Sequence, residues 1–108
     1  MDEQEFKNRA DQALNDLSRR LLVTAEKYDF EVDFNAGALA VEFETPPAKF
    51  VVSPNSPVRQ IWVSAHSKSF KLDWDQARET FVLANSGQSL AELMGEAVGK
   101  QLDQEVTL

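Results

Sequence analysis

Apolar residues recur at two different spacings along this chain of 108 residues, and the order of the spacings restricts the fold more than any other feature. Near both ends they return every three or four positions, which is the spacing of one face of an α-helix. Between the ends, apolar and polar residues alternate, which is the pattern of a β-strand with one buried face. The chain therefore predicts a helix, a series of strands and a second helix.

The two predicted helices carry different local signals. The first covers residues 3 to about 23 and has acids in its first turn, where the helix dipole favours negative charge. The second begins with an S-x-x-E capping box formed by Ser89 and Glu92. Gly95 and Gly99 lie inside it at a cost of about 1 kcal/mol each relative to alanine. We expect these glycines to allow close approach to the sheet or to the other helix.

Six strands are predicted between the helices, bounded by turn residues and by prolines such as Pro54 and Pro57. They cover residues 29–34, 39–44, 48–53, 60–64, 70–74 and 79–84. Because the loops are short, the strands most simply form one antiparallel meander. The predicted fold class is α+β: an α-β sandwich in which a six-stranded antiparallel sheet carries the N- and C-terminal helices on one face. The length suits a single domain, residues 1–108.

The first two strands predict a register that places like charges opposite each other. A two-residue loop at Ala36-Gly37 pairs Phe34 with Leu39, so that apolar residues share the inner face. The outer face then holds two opposed carboxylate pairs and one further acid: Glu31 with Glu42, Asp29 with Glu44, and Asp33. Opposed like charges destabilise a sheet, so binding of a hard cation such as Fe²⁺, Fe³⁺, Mn²⁺ or Ca²⁺ is one reason to keep them. A solvated acidic face kept for solubility is the alternative.

The strand Gln60 to Ser64 turns a tryptophan away from the core. Ile61 and Val63 share one face of this strand, so Trp62 shares the other face with polar residues. A large ring on a rigid sheet buries much area when a partner docks and loses little entropy, which predicts a protein contact. A ring laid flat under its own neighbours is the alternative.

Charge and residue types exclude several classes of protein. The net charge is −7; residues 1–44 hold 11 carboxylates and 5 cations, whereas residues 45–108 hold 7 and 6. This potential repels nucleic acid and anionic lipid and attracts basic proteins or cations. The absence of cysteine excludes disulfides, thiolate metal sites and thiol nucleophiles. The single histidine, His66, is expected to be an exposed loop residue, and no catalytic motif occurs, so an ordinary enzyme is not expected.

Three tracts of the sequence resemble the frataxin family. They are PNSPVRQIWVS at residues 54–64, Asp73-Trp74, and GQSLAEL at residues 87–93. Glu5-Phe6 with Ala10-Asp11 is similar to the opening of bacterial frataxins, and residues 35–44 resemble their first hairpin. The resemblance covers nearly the whole chain.

The resemblance implies the same sandwich fold and a role in iron–sulfur cluster assembly. In the family, an acidic ridge binds iron weakly and faces a basic surface of the cysteine desulfurase, and an exposed sheet tryptophan with its neighbouring glutamine contacts the iron–sulfur scaffold protein. With Glu42 added from the hairpin register, the candidate metal ligands are Glu3, Asp11, Asp29, Glu31, Asp33, Glu42 and Glu44. The implied partner-binding residues are Arg59, Gln60, Trp62 and Lys71.

Several positions depart from the family's pattern. Where bacterial frataxins often carry acids at the end of the first helix, this chain has Leu22, Val23, Ala25 and Lys27. Val58 and Ser53 stand where asparagine is usual, and Lys71 stands where arginine is common. The resemblance therefore implies a thinner acidic ridge and a scaffold contact that is altered at its edges.

We accordingly expect a non-enzymatic accessory protein that acts on the desulfurase–scaffold complex and binds iron, as Fe²⁺ or Fe³⁺, weakly. The alternatives are an iron storage or ferroxidase protein and an acidic protein-binding module without a metal role. We expect a monomer. The acidic charge predicts that it does not bind nucleic acid. No apolar run approaches the roughly 20 residues that span a bilayer, so we do not expect it in a membrane. The N-terminus has no signal-peptide core, which predicts a cytoplasmic bacterial protein, or a mitochondrial matrix protein if it is a processed eukaryotic form.

Overall fold

The computed structural model describes residues 1–44 and 46–108, with a helix near each end and six strands between them. Helix α1 is Glu3–Ala25 and helix α2 is Leu90–Leu102. The strands are β1 Glu31–Asn35, β2 Ala38–Glu44, β3 Pro47–Asn55, β4 Gln60–Ala65, β5 Lys68–Asp75 and β6 Thr80–Leu83. A 3₁₀ turn, Ser56–Val58, joins β3 to β4. The strands form one antiparallel sheet in chain order, which confirms the predicted meander.

Both helices cover the same face of this sheet. The buried residues of the strands alternate with exposed ones, so they share one face, and they belong to a single core with the buried residues of both helices. Phe6 of α1 meets Phe81 of β6 edge to face, with ring centroids 5.9 Å apart. The opposite face of the sheet is left to solvent, as the α-β sandwich prediction requires. Neither helix is long and apolar enough to cross a membrane, within the residues that the structure describes.

Strand β1 begins two residues later than predicted, at Glu31 instead of Asp29. The backbone N–H of Phe30 donates to the carbonyl of Tyr28 at 3.1 Å, a local bond that keeps this residue out of the ladder. The ladder starts at Glu31, so the predicted pairing of Asp29 with Glu44 is wrong. From Glu31 onward the predicted register is confirmed at every pair.

Strand β3 is longer than predicted and contains two prolines that were expected to lie outside it. Pro47 is its first residue, and Pro54 lies within it, opposite Ile61 of β4. Within the described residues, strand β2 pairs with β3 only as far as Val52, so β4 is the one strand of that set that pairs with β3 at Pro54. Proline is tolerated at such an open edge because the ladder does not need its missing N–H.

The two glycines of α2 make room for the C-terminal segment, not for the sheet or for α1. A Cβ atom on Gly99 would lie 2.7 Å from the carbonyl oxygen of Gln104, and one on Gly95 would lie 3.2 Å from that of Val106. Residues 104–108 therefore fold back along α2. The expectation of close approach is confirmed, but its predicted partner is wrong.

His66 lies in a loop, as predicted, but it is not exposed as expected. His66 and Ser67 form the tight turn between β4 and β5, and the imidazole is half-buried against α2. Its Nε2 lies 3.0 Å from the carbonyl oxygen of Ala97, and its ring centroid lies 5.0 Å from that of Phe50. The turn carries the ring back over the sheet, a contact that the sequence around His66 does not indicate.

Candidate functional site

Trp62 lies in the interior of the sheet, on the face turned away from the helices. Its neighbours Ile61 and Val63 are fully buried on the inner face, so alternation turns the indole outward, as predicted. Ser53 of β3 and Lys71 of β5 are its cross-strand partners. The residue is 38% exposed, a large fraction for a tryptophan within a sheet.

Three side chains fix the orientation of this indole. Its Nε1–H donates to the Oε1 atom of Gln60 at 3.0 Å, and the Nε2 atom of Gln60 donates to Oδ1 of Asp73 at 3.1 Å. The ammonium of Lys71 lies 4.9 Å from the indole centroid, a cation–π contact worth about 0.5–1 kcal/mol at an exposed site. We call Gln60, Trp62, Lys71 and Asp73 the Trp62 platform. The ring is held by its neighbours, as one interpretation of the sequence expects, and it is still exposed, as the protein-contact interpretation requires.

Asp73 is the member of the platform that sequence reasoning missed. It lies opposite Gln60 in the β4–β5 ladder and orients the amide whose oxygen accepts the indole N–H. The alternation Phe70-Lys71-Leu72-Asp73 already placed its side chain on the outer face. Only the register between β4 and β5, which the sequence did not predict, brings it to Gln60.

Arg59 is half-buried and bonds to its own loop. It has a left-handed backbone, φ 56° and ψ 44°, and ends the 3₁₀ turn. Its Nη1 atom donates to the carbonyl oxygen of Ser56 at 2.7 Å. Its Nε atom is buried and has no hydrogen-bond partner in the described part of the chain. Arg59 thus precedes the Trp62 platform in sequence, but its guanidinium bonds to the turn and not to the platform.

The acids of the first hairpin lie on the outer face near the β1 edge of the sheet. Glu31 lies opposite Glu42, as predicted, and Asp33 and Glu44 are exposed on the same face. Lys49 of β3 lies opposite Glu42 on its other side and pairs with it at 3.6 Å, which offsets part of the repulsion. Alternation in β3 could have revealed this lysine. We call Glu31, Asp33, Glu42 and Glu44 the acidic hairpin.

The remaining candidate metal ligands belong to other elements than the acidic hairpin: Glu3 and Asp11 to α1, and Asp29 to the turn before β1. Glu3 is the first residue of α1 and pairs with Lys7 at 3.2 Å. Helix α1 rises about 1.5 Å per residue, so Glu3 lies about 33 Å and Asp11 about 21 Å along the helix axis from Ala25. Asp29 is exposed and lies in the turn between Ala25 and β1. Across residues 1–44 and 46–108, no three acidic or histidine side chains come together in a group that could hold a metal ion. The carboxylates therefore offer open, water-exposed oxygens.

Comparison with known proteins agrees with this architecture. Residues 1–104 match the model of the frataxin-like domain family. The structure of a frataxin from Psychromonas ingrahamii superimposes with a TM-score of 0.78 over 99% of this chain and 97% of that one. The sequence identity in that comparison is 24%, so it supports the fold alone.

Curated relatives extend the similarity to sequence. The iron–sulfur cluster assembly protein CyaY of Azotobacter vinelandii is 33% identical over 95 residues, which cover 86% of each protein. The protein of the same name from Pseudomonas fluorescens strain Pf-5 is 31% identical over 75 residues, 69% of this chain and 67% of that one. Because the family model matches residues 1–104, almost the entire length, the chain belongs to the frataxin-like domain family.

Proposed function

We propose that this protein is an accessory protein of iron–sulfur cluster assembly that acts on a complex of cysteine desulfurase and scaffold protein. Membership of the frataxin-like family supports the proposal, and so do the names of the relatives, which are iron–sulfur cluster assembly proteins. In this proposal the protein regulates the complex by docking on it. The Trp62 platform contacts the scaffold, and the acidic hairpin faces a basic surface of the desulfurase.

The observation that carries the proposal is that Trp62 is exposed and is nevertheless held in one orientation by its neighbours. The indole is 38% exposed although its N–H and one ring face already have partners. A ring held in place before docking loses little entropy on binding, and aromatic anchors of this kind dominate many interfaces. Its cross-strand neighbour Ser53, and Ser64 two residues further along β4, are small side chains on the same face.

A reconstituted cluster-assembly assay with the cognate desulfurase and scaffold tests the platform. We expect Trp62→Ala to abolish most of the effect of this protein on the rate of cluster formation, whether the protein speeds or slows that rate. Leu22→Ala is the matched control, because it also removes an exposed apolar side chain, 50% exposed, from the opposite layer of the molecule. An undiminished effect of Trp62→Ala, with a native circular dichroism spectrum, would remove the platform from the proposal.

We also propose that the acidic hairpin binds iron weakly as cargo. Its donors are carboxylate oxygens, which suit Fe²⁺, Fe³⁺ and other hard cations. The donors are exposed and Glu42 already pairs with Lys49, so they fit an open, weakly held ion and not an enclosed centre. Glu3 and Asp11 belong to α1, a different element, and are left outside this assignment.

Chemical-shift titration with Fe²⁺ and Co²⁺ tests the iron proposal. Backbone amides near Glu31 and Glu42 should respond at low metal ratios, and the Glu31→Gln/Glu42→Gln variant should lose that response. Glu3→Gln/Asp11→Asn is the control that removes the same charge elsewhere. Silence of the hairpin amides would leave only an acidic protein-binding module. Faster Fe²⁺ oxidation with the protein than without it would instead support the storage or ferroxidase alternative.

A further inference from the structure

A small cavity lies between the β4–β5 hairpin and α2, on the inner side of the sheet. Its volume is about 160 Å³. Cavities of about 150 Å³ are large enough to bind one benzene molecule. The site is separate from the Trp62 platform, because the platform residues lie on the opposite face of β4 and β5.

The cavity has an apolar floor and a charged rim. Side chains of both the sheet and α2 form the floor, among them Val63, Phe70 and Leu93. The charged side chains that line the cavity are two lysines, Lys68 at the start of β5 and Lys100 in the last turn of α2, and one acid, Glu96 of α2. The rim therefore has a net positive charge. An apolar surface below a basic rim is complementary to a small molecule that has an apolar body and an anionic group.

The lysines of the rim are available to a ligand. Neither Lys68 nor Lys100 forms an ion pair within the part of the chain that the structure describes. Glu96 stands four residues before Lys100, in the order that favours a pair along a helix. Its Oε2 atom instead accepts a hydrogen bond from Nε2 of Gln88 at 2.6 Å. The rim therefore keeps two unpaired cations in a protein whose net charge is −7.

His66 forms one wall of the cavity and lies in a tight turn with a left-handed backbone. His66 and Ser67 have φ angles of 52° and 62°, in a region that asparagine and glycine adopt more readily. Because the carbonyl oxygen of Ala97 can only accept, Nε2 of His66 donates the 3.0 Å bond between them. The bond ties the hairpin turn to α2 and holds the two sides of the cavity together.

We propose that this cavity binds a small amphipathic monocarboxylate, an aromatic or branched aliphatic acid of about the size of benzoate. The apolar body lies on the floor of Val63, Phe70 and Leu93, and the carboxylate lies between the ammonium groups of Lys68 and Lys100. This site is independent of the proposed role in cluster assembly.

Chemical-shift titration of the full chain with sodium benzoate tests the proposal. We expect saturable shifts in residues 65–70 and 93–100, with a Kd of about 1 mM for a ligand this small. Acetate supplies the charge without the apolar body, and benzyl alcohol supplies the ring without the charge. Both should bind at least about tenfold more weakly than benzoate. Equal binding of either probe, or shifts that do not saturate, would overturn the proposal.

Double variants test whether the two lysines of the rim bind the carboxylate of the ligand. Lys68→Gln/Lys100→Gln should weaken benzoate binding about tenfold, the loss expected for two partly exposed ion pairs. Lys68→Arg/Lys100→Arg should keep most of the affinity. Lys7→Gln/Lys27→Gln makes the same change in net charge away from the cavity and should leave binding unchanged. Undiminished affinity in the glutamine variant, with a native spectrum, would overturn the proposal, as would an equal loss in the control.

Discussion

At the scale of single residues, the orientation of one exposed ring depends on a chain of polar contacts. Trp62 donates to Gln60, and Gln60 donates to Asp73 across the β4–β5 ladder. Each bond is exposed and contributes little to stability, since a typical net hydrogen bond is worth about 0.5–1.5 kcal/mol. Their effect is to restrict the indole of Trp62 to one orientation in the free protein.

Gln60→Ala should release the indole of Trp62. We expect its Nε1–H signal to move in a ¹H–¹⁵N spectrum, with a loss of at most about 1.5 kcal/mol in the free energy of unfolding. Trp74 is the internal reference, because its Nε1–H donates to Gln76 at 2.9 Å. Gln76→Ala should move the Trp74 signal alone. Movement of both signals in either variant would contradict separate restraints on the two rings.

Gly99→Ala should destabilise the fold although alanine is the better helix former. The exchange gains about 1 kcal/mol of helix propensity, but the new Cβ atom would lie 2.7 Å from a backbone oxygen of Gln104. Crowding of this kind costs about 1–3 kcal/mol, so we expect a net loss of about 1 kcal/mol in urea unfolding. Gly95→Ala, with a contact of 3.2 Å, should be close to neutral. A Gly99→Ala variant as stable as Gly95→Ala would refute this account.

At the scale of elements, the start of α2 is tied to the loops before it by one arginine. Nη1 of Arg78 donates to the carbonyl oxygen of Gly87 at 2.6 Å, and Nη2 lies 3.7 Å from Oε1 of Glu92. Ser89 and Glu92 form the predicted capping box, with bonds of 2.9 and 3.2 Å. The backbone N–H of Ser89, its hydroxyl and then Arg78 hold the pKa of Glu92 below its ordinary value of 4.5.

The stability of the fold should therefore depend on the ionisation of Glu92. Because its pKa is lower in the folded chain than in the unfolded one, the carboxylate stabilises the fold above pH 4.5. This contribution is lost as the pH falls from 4.5 through the lowered folded-state pKa. Glu92→Gln should lower the free energy of unfolding at pH 7, and the difference from the parent protein should shrink in acid. Glu105→Gln is the control, and a difference that persists at low pH would contradict the prediction.

At the scale of the whole molecule, negative charge is concentrated in the first part of the chain. Residues 1–44, which form α1, β1 and β2, carry 11 carboxylates and 5 cations. The remaining residues are nearly balanced, with 7 carboxylates and 6 cations. In the proposed function, this asymmetry steers the acidic hairpin toward a basic partner and leaves the Trp62 platform to make the close contact.

In the proposed function, association with the basic surface of a cysteine desulfurase should be sensitive to salt. We expect the association rate constant to fall about tenfold between 50 and 300 mM NaCl, measured by stopped-flow fluorescence. Glu31→Gln/Glu42→Gln should lower the rate constant at low salt and flatten its dependence on salt. Asp103→Asn/Glu105→Gln removes two charges from the C-terminal segment and should have a smaller effect. A rate constant that does not change with salt would exclude steering by this surface.

Local sequence determined most of the architecture. Periodicity predicted both helices and all six strands, because one buried face imposes a repeat that neighbouring residues alone reveal. The same alternation, with a two-residue turn, determined the first hairpin's register and the outward direction of Trp62. The capping box of α2 was equally local. The docking and metal roles of the named residues stay predictions for the experiments above.

Contacts between segments distant in sequence were decided only by the tertiary structure. The register of β4 on β5 brought Asp73 to Gln60, and the packing of the β4–β5 turn on α2 buried half of His66. The returning C-terminal segment, and not the sheet, accounts for Gly99. The end of the β2–β3 pairing made Pro54 tolerable inside a strand. Each depends on which segments meet in space, and a pattern that records only neighbouring residues carries no information about that meeting.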